Sequence, residues 1–181
     1  MRPMMTNAEQ GLFEQTLNRK SNQEYLEYGS GGSTVWACNN KNIKSVTSVE
    51  VDKKWISKIE EQSLKISPLF FNPGYAHEEL GRPINNDELH KWEIYSTGVT
   101  GSYDVILIDG RFRVASAAHS YGLLKLDGVL IVHDFSDQRQ EYQKILELYD
   151  ITNHIDTLII ATKKPNKNYK ILWEKYKHNW M

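Results

Sequence analysis

The stretch LEYGSGGSTVWA, Leu26 to Ala37, sets the acid Glu27, the glycines Gly29, Gly31 and Gly32, and the hydroxyl residues Ser33 and Thr34 close together. Ser30 stands inside the glycine group. Glycines of this kind let backbone come close to a bound molecule and take positive φ. Glu50 follows 21 residues after Gly29. That is the distance at which an acid ending the next strand accepts hydrogen bonds from ribose hydroxyls. The chemistry implied is recognition of a nucleoside-containing molecule.

Charge narrows the choice of nucleoside. A dinucleotide fingerprint needs a third glycine where Thr34 stands. Glu27, two residues before Gly29, would repel a pyrophosphate and attract an ammonium. S-adenosylmethionine carries an α-amino group, a sulfonium and an adenosine but no phosphate, so it suits the turn better than NAD.

A second set of chemical residues lies further along. Asp109 ends an apolar stretch before Gly110, where a charge needs a partner or solvent. It reads as a contact to a cofactor amine or a substrate hydroxyl, or as a helix cap. Arg111 and Arg113 flank Phe112. If both point the same way, as residues two apart on a strand do, they can grip an anionic substrate. The alternative is that one of them pairs with Asp109 or Glu27. His133 and Asp134 end another apolar run. His133 has the ordinary pKa of a general base, or is a core histidine bonded to backbone. Asp109 and Asp134 also offer oxygens to a divalent ion such as Mg²⁺. Only two acids are evident, however, and Phe135 stands where a further oxygen ligand would help, so a metal is the weaker reading. Ser33 and Thr34 suit a helix cap, with cofactor contact in addition.

These residues need elements to place them. Helical spacing of Leu12, Phe13 and Leu17 predicts a helix over 8–20 within an N-terminal segment, 1–24. Strands are expected at 25–28, 45–51, 66–71, 104–108 and 128–133, and a hairpin over 151–163 turning near Asp156 and Thr157. Helices are expected from Ser33 or Thr34 to about 39, over 53–64 behind Asp52, over 112–124 and over 138–149. Segment 72–103 is broken by Gly74, Gly81, Pro83, Gly98 and Gly101 and reads as an irregular lid or substrate wall carrying His77, Glu78, Glu79, His90 and Trp92. Strands alternating with helices argue for a doubly wound α/β sheet, mostly parallel, in one domain spanning 1–181.

Bulk properties exclude several classes. Hydrophobic residues make up 40% and charged residues 25%, as in ordinary globular proteins. A net charge of −1 gives no electrostatic reason to expect nucleic acid. The single cysteine, Cys38, allows no internal disulfide and suits a reducing cytoplasm. No apolar run is long enough for a bilayer. The tail, 164–181, interleaves lysines with Tyr169, Trp173, Tyr176 and Trp180. Its aromatics are expected to pack on the domain, with nucleic-acid contact the weaker reading. Asn72-Pro73-Gly74-Tyr75 approaches the (D/N/S)-P-P-(Y/F) pattern of amino-group DNA methyltransferases, but follows the third expected strand rather than the fourth. The oligomeric state stays open, a homodimer included.

The segment YLEYGSGGSTVWA resembles the first motif of class I S-adenosylmethionine-dependent methyltransferases, an acid followed after one residue by G-x-G. LEYGSGGST with DVILIDGRFRVASA resembles a group of small bacterial methyltransferase-like proteins. The resemblance covers roughly residues 22–163. It implies a Rossmann-like seven-stranded sheet ending in an antiparallel hairpin. It places Glu27, Gly29 and Gly31 along the methionine and ribose part of the cofactor, Glu50 on the ribose, and Asp109 facing cofactor and substrate. Asp134 falls where some members carry a second acid. Asn72 stands where an acid or polar group often meets the adenine. The function implied is methyl transfer to a small polar acceptor, which the arginines would suit if it is anionic. The alternatives are a nucleoside-binding protein without catalysis and a nucleic-acid methyltransferase.

Overall fold

The computed structural model describes residues 1–62 and 64–181. Position 63 of the expected helix 53–64 lies outside the described residues. Helix α1 (Asn7–Leu17) starts at Thr6, whose side chain accepts from the Glu9 amide while the Glu9 carboxylate accepts from the Thr6 amide. Strand β1 (Gln23–Tyr28), helix α2 (Gly32–Asn39), strand β2 (Ile43–Val49) and helix α3 (Lys53–Glu60) follow. Asp52 caps α3, as its side chain suggests. Strand β3 (Leu69–Phe71) is short. Then come helix α4 (Leu89–Thr97), strand β4 (Tyr103–Ile108), helix α5 (Arg113–Leu123), strand β5 (Leu124–Val132), strands β6 (Tyr149–Ile155) and β7 (Leu158–Lys163), and helix α6 (Tyr169–Tyr176).

The seven strands form one sheet in the order β3-β2-β1-β4-β5-β7-β6. The first five strands pair in parallel, while β7 runs antiparallel to both β5 and β6. Strand order reverses between β1 and β4, which is where a doubly wound sheet opens a crevice at its carboxyl end. Both faces are covered, so β4 has no polar side beyond its first residues. Val105 and Leu107 pack with α1 and α2, while Ile106 and Ile108 pack with α4, α5 and α6, and all four are fully buried.

Several local expectations change. Segment 72–103 contains α4, whose Trp92 and Tyr95 are buried against Tyr28 and Phe112. Its glycines and prolines lie outside that helix, so they break the chain around it and not within it. The expected helix 138–149 is a 3₁₀ segment, Gln140–Glu147, and Tyr149 already belongs to β6. Strand β2 spans Ile43–Val49 rather than 45–51. The basic tail forms α6, with Leu172 and Tyr176 buried and the Trp173 indole donating to Ser96 Oγ at 2.9 Å. No helix among the described residues is long and apolar enough to cross a membrane.

Candidate functional site

Gly29 follows β1 with φ +92°, and a Cβ there would lie 2.6 Å from the Gly110 Cα. The turns after β1 and β4 therefore touch backbone to backbone, and only glycine fits. Gly31 is extended, and a Cβ on it would meet only Ser33 Oγ, at 4.0 Å. Its outer face is open. Gly32 opens α2 beneath Arg2 and Pro3, where a Cβ would overlap the Arg2 carbonyl. The Gln10 side chain holds that N-terminal segment by donating to the carbonyls of Pro3 and Met5.

Glu27 lies below the turn. On β1 it shares a face with Tyr25, two residues earlier, and points into the layer between sheet and α2. It is fully buried, with Tyr25 Oη donating at 2.9 Å, Ser48 Oγ at 2.9 Å and Thr34 Oγ1 also donating. Thr34 Oγ1 in turn accepts from the Gly31 amide at 2.8 Å, and Ser48 Oγ bonds Ser30 Oγ at 2.6 Å. Burial pushes the Glu27 carboxyl up to about 7, while the hydroxyls oppose that rise. The expectation of a carboxylate facing an ammonium in the crevice is thus modified: Glu27 shapes the turn from beneath through Thr34 and Ser48.

Glu50 follows β2 and lies against the same turn. Its Oε2 accepts from the Ser30 amide at 3.1 Å, and its Oε1 accepts from the amides of Val51 and Asp52 at 2.7 and 2.9 Å. Burial raises its pKa against these bonds. The Trp55 indole donates to the Ser30 carbonyl at 2.6 Å and fixes the turn from the α3 side. Asn72 closes on the end of β2 by donating to the Val51 carbonyl at 2.8 Å. Tyr75 of the same Asn-Pro-Gly-Tyr run is buried, with its hydroxyl on the Gly81 carbonyl. It offers no exposed ring on which a flipped base could stack.

The strongest charge cluster sits at the ends of β4 and β5. Asp109 Oδ1 lies 2.9 Å from His133 Nδ1, and Asp134 Oδ1 lies 4.0 Å from it. The other ring nitrogen, Nε2, lies 3.6 Å from Glu9 Oε2. Burial lowers the His133 pKa, but Asp109, Asp134 and Glu9 together outweigh it and hold the ring above its ordinary value. With both ring nitrogens facing carboxylates, His133 does not stand as a free general base. Asp134 has φ +59° and Phe112 φ +54°, so each flank of the cluster holds a left-handed non-glycine residue.

Arg113 is placed differently from Arg111. The left-handed Phe112 turns the chain into α5, so the two arginines do not share a direction. Arg113 is buried; Nη2 lies 3.3 Å from Asp109 Oδ1 and 3.0 Å from Asp134 Oδ2, and its other donors reach the carbonyls of Gly110 and His133. Arg139 adds a second contact to Asp134 at 3.4 Å. Arg113 therefore joins the two carboxylates instead of facing a substrate. Arg111 stays at the rim, with Nε on the Leu80 carbonyl at 2.9 Å.

Ligand atoms of Asp109, His133 and Asp134 fall within 4.8 Å of one another, a spacing at which three groups can share an ion. The donor set nevertheless fits a dication poorly. The Arg113 guanidinium already lies against both carboxylates, and both ring nitrogens of His133 face carboxylates. For S-adenosylmethionine the fit is better: Gly31 is open on its outer side, Glu50 holds the adjacent Ser30 amide, and Gly29 abuts the backbone of Asp109 and Gly110.

Glu9 enters this cluster with no signal in its sequence position. In Thr6-x-x-Glu9 it reads as a capping partner, which it also is, and only docking of α1 over the end of β5 brings it to His133. Its carboxylate also accepts from the Thr157 amide and hydroxyl at 2.9 and 2.7 Å, and despite burial these bonds lower its pKa.

No protein-family model matches the sequence, and no curated protein matches it. Solved structures do match the fold. A methyltransferase-like protein from Silicibacter pomeroyi is 23% identical with a TM-score of 0.83, covering 98% of each chain. A TehB-like SAM-dependent methyltransferase from Corynebacterium glutamicum is 11% identical with a TM-score of 0.54, covering 84% of this chain and 87% of that one. A ribosomal protein L11 methylase from Lactobacillus delbrueckii subsp. bulgaricus is 13% identical with a TM-score of 0.58, covering 90% and 82%. At these identities the likeness is one of architecture, and this chain has the Rossmann-like methyltransferase fold, with its antiparallel hairpin at the C-terminal end.

Proposed function

We propose that this chain is an S-adenosylmethionine-dependent methyltransferase acting on a small polar acceptor. The observation that carries the reading is the glycine turn at the point where strand order reverses, with Gly31 open on its outer side, Glu50 on the Ser30 amide and Gly29 against the Asp109–Gly110 backbone. A dinucleotide is disfavoured by Thr34, whose hydroxyl is committed to Glu27 and the Gly31 amide.

When bound, the cofactor supplies an electrophilic methyl group on a sulfonium. The chain's residues bind and orient. Gly29, Ser30 and Gly31 provide a backbone edge, supported by Ser33 and Thr34 at the start of α2. Glu50 offers a carboxylate to ribose hydroxyls. Asp109 and Asp134 present part-exposed carboxylates at the strand ends. Either can accept a hydrogen bond from the acceptor and take its proton. His133 and Arg113 hold those carboxylates in place, so much of the rate would come from alignment. A protein that binds the cofactor without turnover is the second reading, favoured by one observation: both ring nitrogens of His133 already face carboxylates.

Calorimetric titration with S-adenosylmethionine, S-adenosylhomocysteine and NAD, on wild type and Gly31→Trp, tests the proposal. Saturable binding of the first two, lost in the variant, is expected. Absence of binding by either would overturn it. Binding with no turnover over a broad acceptor panel would support the second reading.

A further inference from the structure

Three segments remote in sequence meet beside Arg111. The guanidinium carbon of Arg82 lies 5.2 Å from the centroid of the Trp180 ring, and that of Arg111 lies 5.9 Å from the same ring. Arg82 is set by a tight turn in which the Glu78 amide donates to its carbonyl at 2.7 Å, and His77 bridges to Pro83. The Arg111 amide donates to Tyr95 Oη at 3.2 Å, and Trp180 is tied by its carbonyl to the Phe112 amide.

Among the described residues neither Arg82 nor Arg111 has a carboxylate partner. Glu78 and Glu79 belong to the same turn as Arg82 but form no ion pair with either guanidinium. Arg113 and Arg139, by contrast, are both matched to acids. Two guanidiniums over one ring repel each other unless an anion or solvent intervenes. Stacking on an aromatic face leaves the in-plane N–H groups free for a carboxylate or phosphate. Burial, together with the charges of Arg113 and Arg82, pushes the Arg111 pKa below its ordinary value, which a bound anion would relieve.

The geometry points to an anion-binding site formed by Arg82 and Arg111 on Trp180, which takes a carboxylate or phosphate group of the methyl acceptor. Arg111 stands two residues after Asp109, on the turn that leaves the end of β4. The role of acceptor rests on the methyltransferase reading. Arg82, rather than Arg113, is the partner of Arg111.

The test uses the full chain carrying 5-fluorotryptophan, with inorganic phosphate as the probe and chloride at equal ionic strength as the control. Trp180→Phe identifies the Trp180 fluorine signal. Phosphate is expected to shift that signal saturably. Arg82→Gln and Arg111→Gln should each weaken binding about tenfold, the worth of a charge-assisted bond. Saturating S-adenosylhomocysteine should leave phosphate binding intact. No saturable shift, or unchanged affinity in both variants, overturns the site. Displacement of phosphate by S-adenosylhomocysteine assigns the anion to the cofactor's own carboxylate and overturns the acceptor role. Phosphate binding in a chain that binds neither S-adenosylmethionine nor its product would overturn the methyltransferase reading and the acceptor role while leaving the anion site standing.

Discussion

Replacing Glu27 by Gln removes a buried titration while keeping most of the side chain's shape. The carboxyl titrates at about 7 in the fold against an ordinary value of 4.5, with burial as the main cause. The sign follows from linkage. A carboxyl whose folded pKa is raised binds its proton more tightly in the native state. The stability it contributes is fully present below its unfolded pKa and is lost as pH rises through the folded pKa. At about 1.4 kcal/mol for each tenfold gain in proton affinity, the whole effect is about 3 kcal/mol, of which about 2.5 kcal/mol falls between pH 5 and pH 8. The Gln variant lacks this loss. Its stability relative to wild type should therefore rise by about 2.5 kcal/mol over that range, whatever the change at pH 5. Urea unfolding at the two pH values reads the difference directly, as a relative change in midpoint of roughly 1 M for a chain of this size. Titration of His133 is common to both proteins and cancels. A difference that moves by less than about 0.5 kcal/mol would refute the claim that Glu27 holds a proton near neutrality.

The remaining predictions concern the two turns and the cluster between them. Gly29→Ala combines a left-handed φ with a Cβ 2.6 Å from Gly110 Cα, and should destabilise by about 2–4 kcal/mol; Gly31→Ala, whose Cβ meets only Ser33 Oγ, should leave the melting temperature nearly unchanged while weakening S-adenosylmethionine binding, as melting and calorimetry on the pair would show. Arg113→Met leaves Asp109 and Asp134 without their shared guanidinium and should cost about 2–4 kcal/mol in urea unfolding, with unchanged stability counting against its bridging role. Glu9→Gln removes one of the carboxylates facing His133, so the His133 pKa read by NMR should fall. In wild type the stability from His133 is present below its unfolded value near 6.5 and is lost as pH rises through the higher folded value, and in the variant that loss should be smaller and complete at lower pH.

Much of the architecture is legible from local pattern because its causes are local. The apolar run 104–108 can only be a strand covered on both faces, and the glycines at 29–32 mark the turn that follows β1. Asp52 announces α3, and the alternation of strands and helices gives a doubly wound sheet with its crevice. Gly29, Glu50 and Asp109 can be placed at that crevice because strand ends in such a sheet share one edge. Tertiary packing decided the rest. Glu27 lies beneath the turn because β1 directs it to the α2 face, and no count of residues separates a buried acid from one facing a ligand. Arg111 and Arg113 diverge because Phe112 takes a left-handed conformation, which its residue type does not announce. Glu9 reaches His133, and Arg82 and Trp180 reach Arg111, only through the docking of α1, the 72–103 segment and the C-terminal residues. Spacing along the chain fixes what a strand end can offer, but which distant charges meet there depends on how the helices and loops close over the sheet.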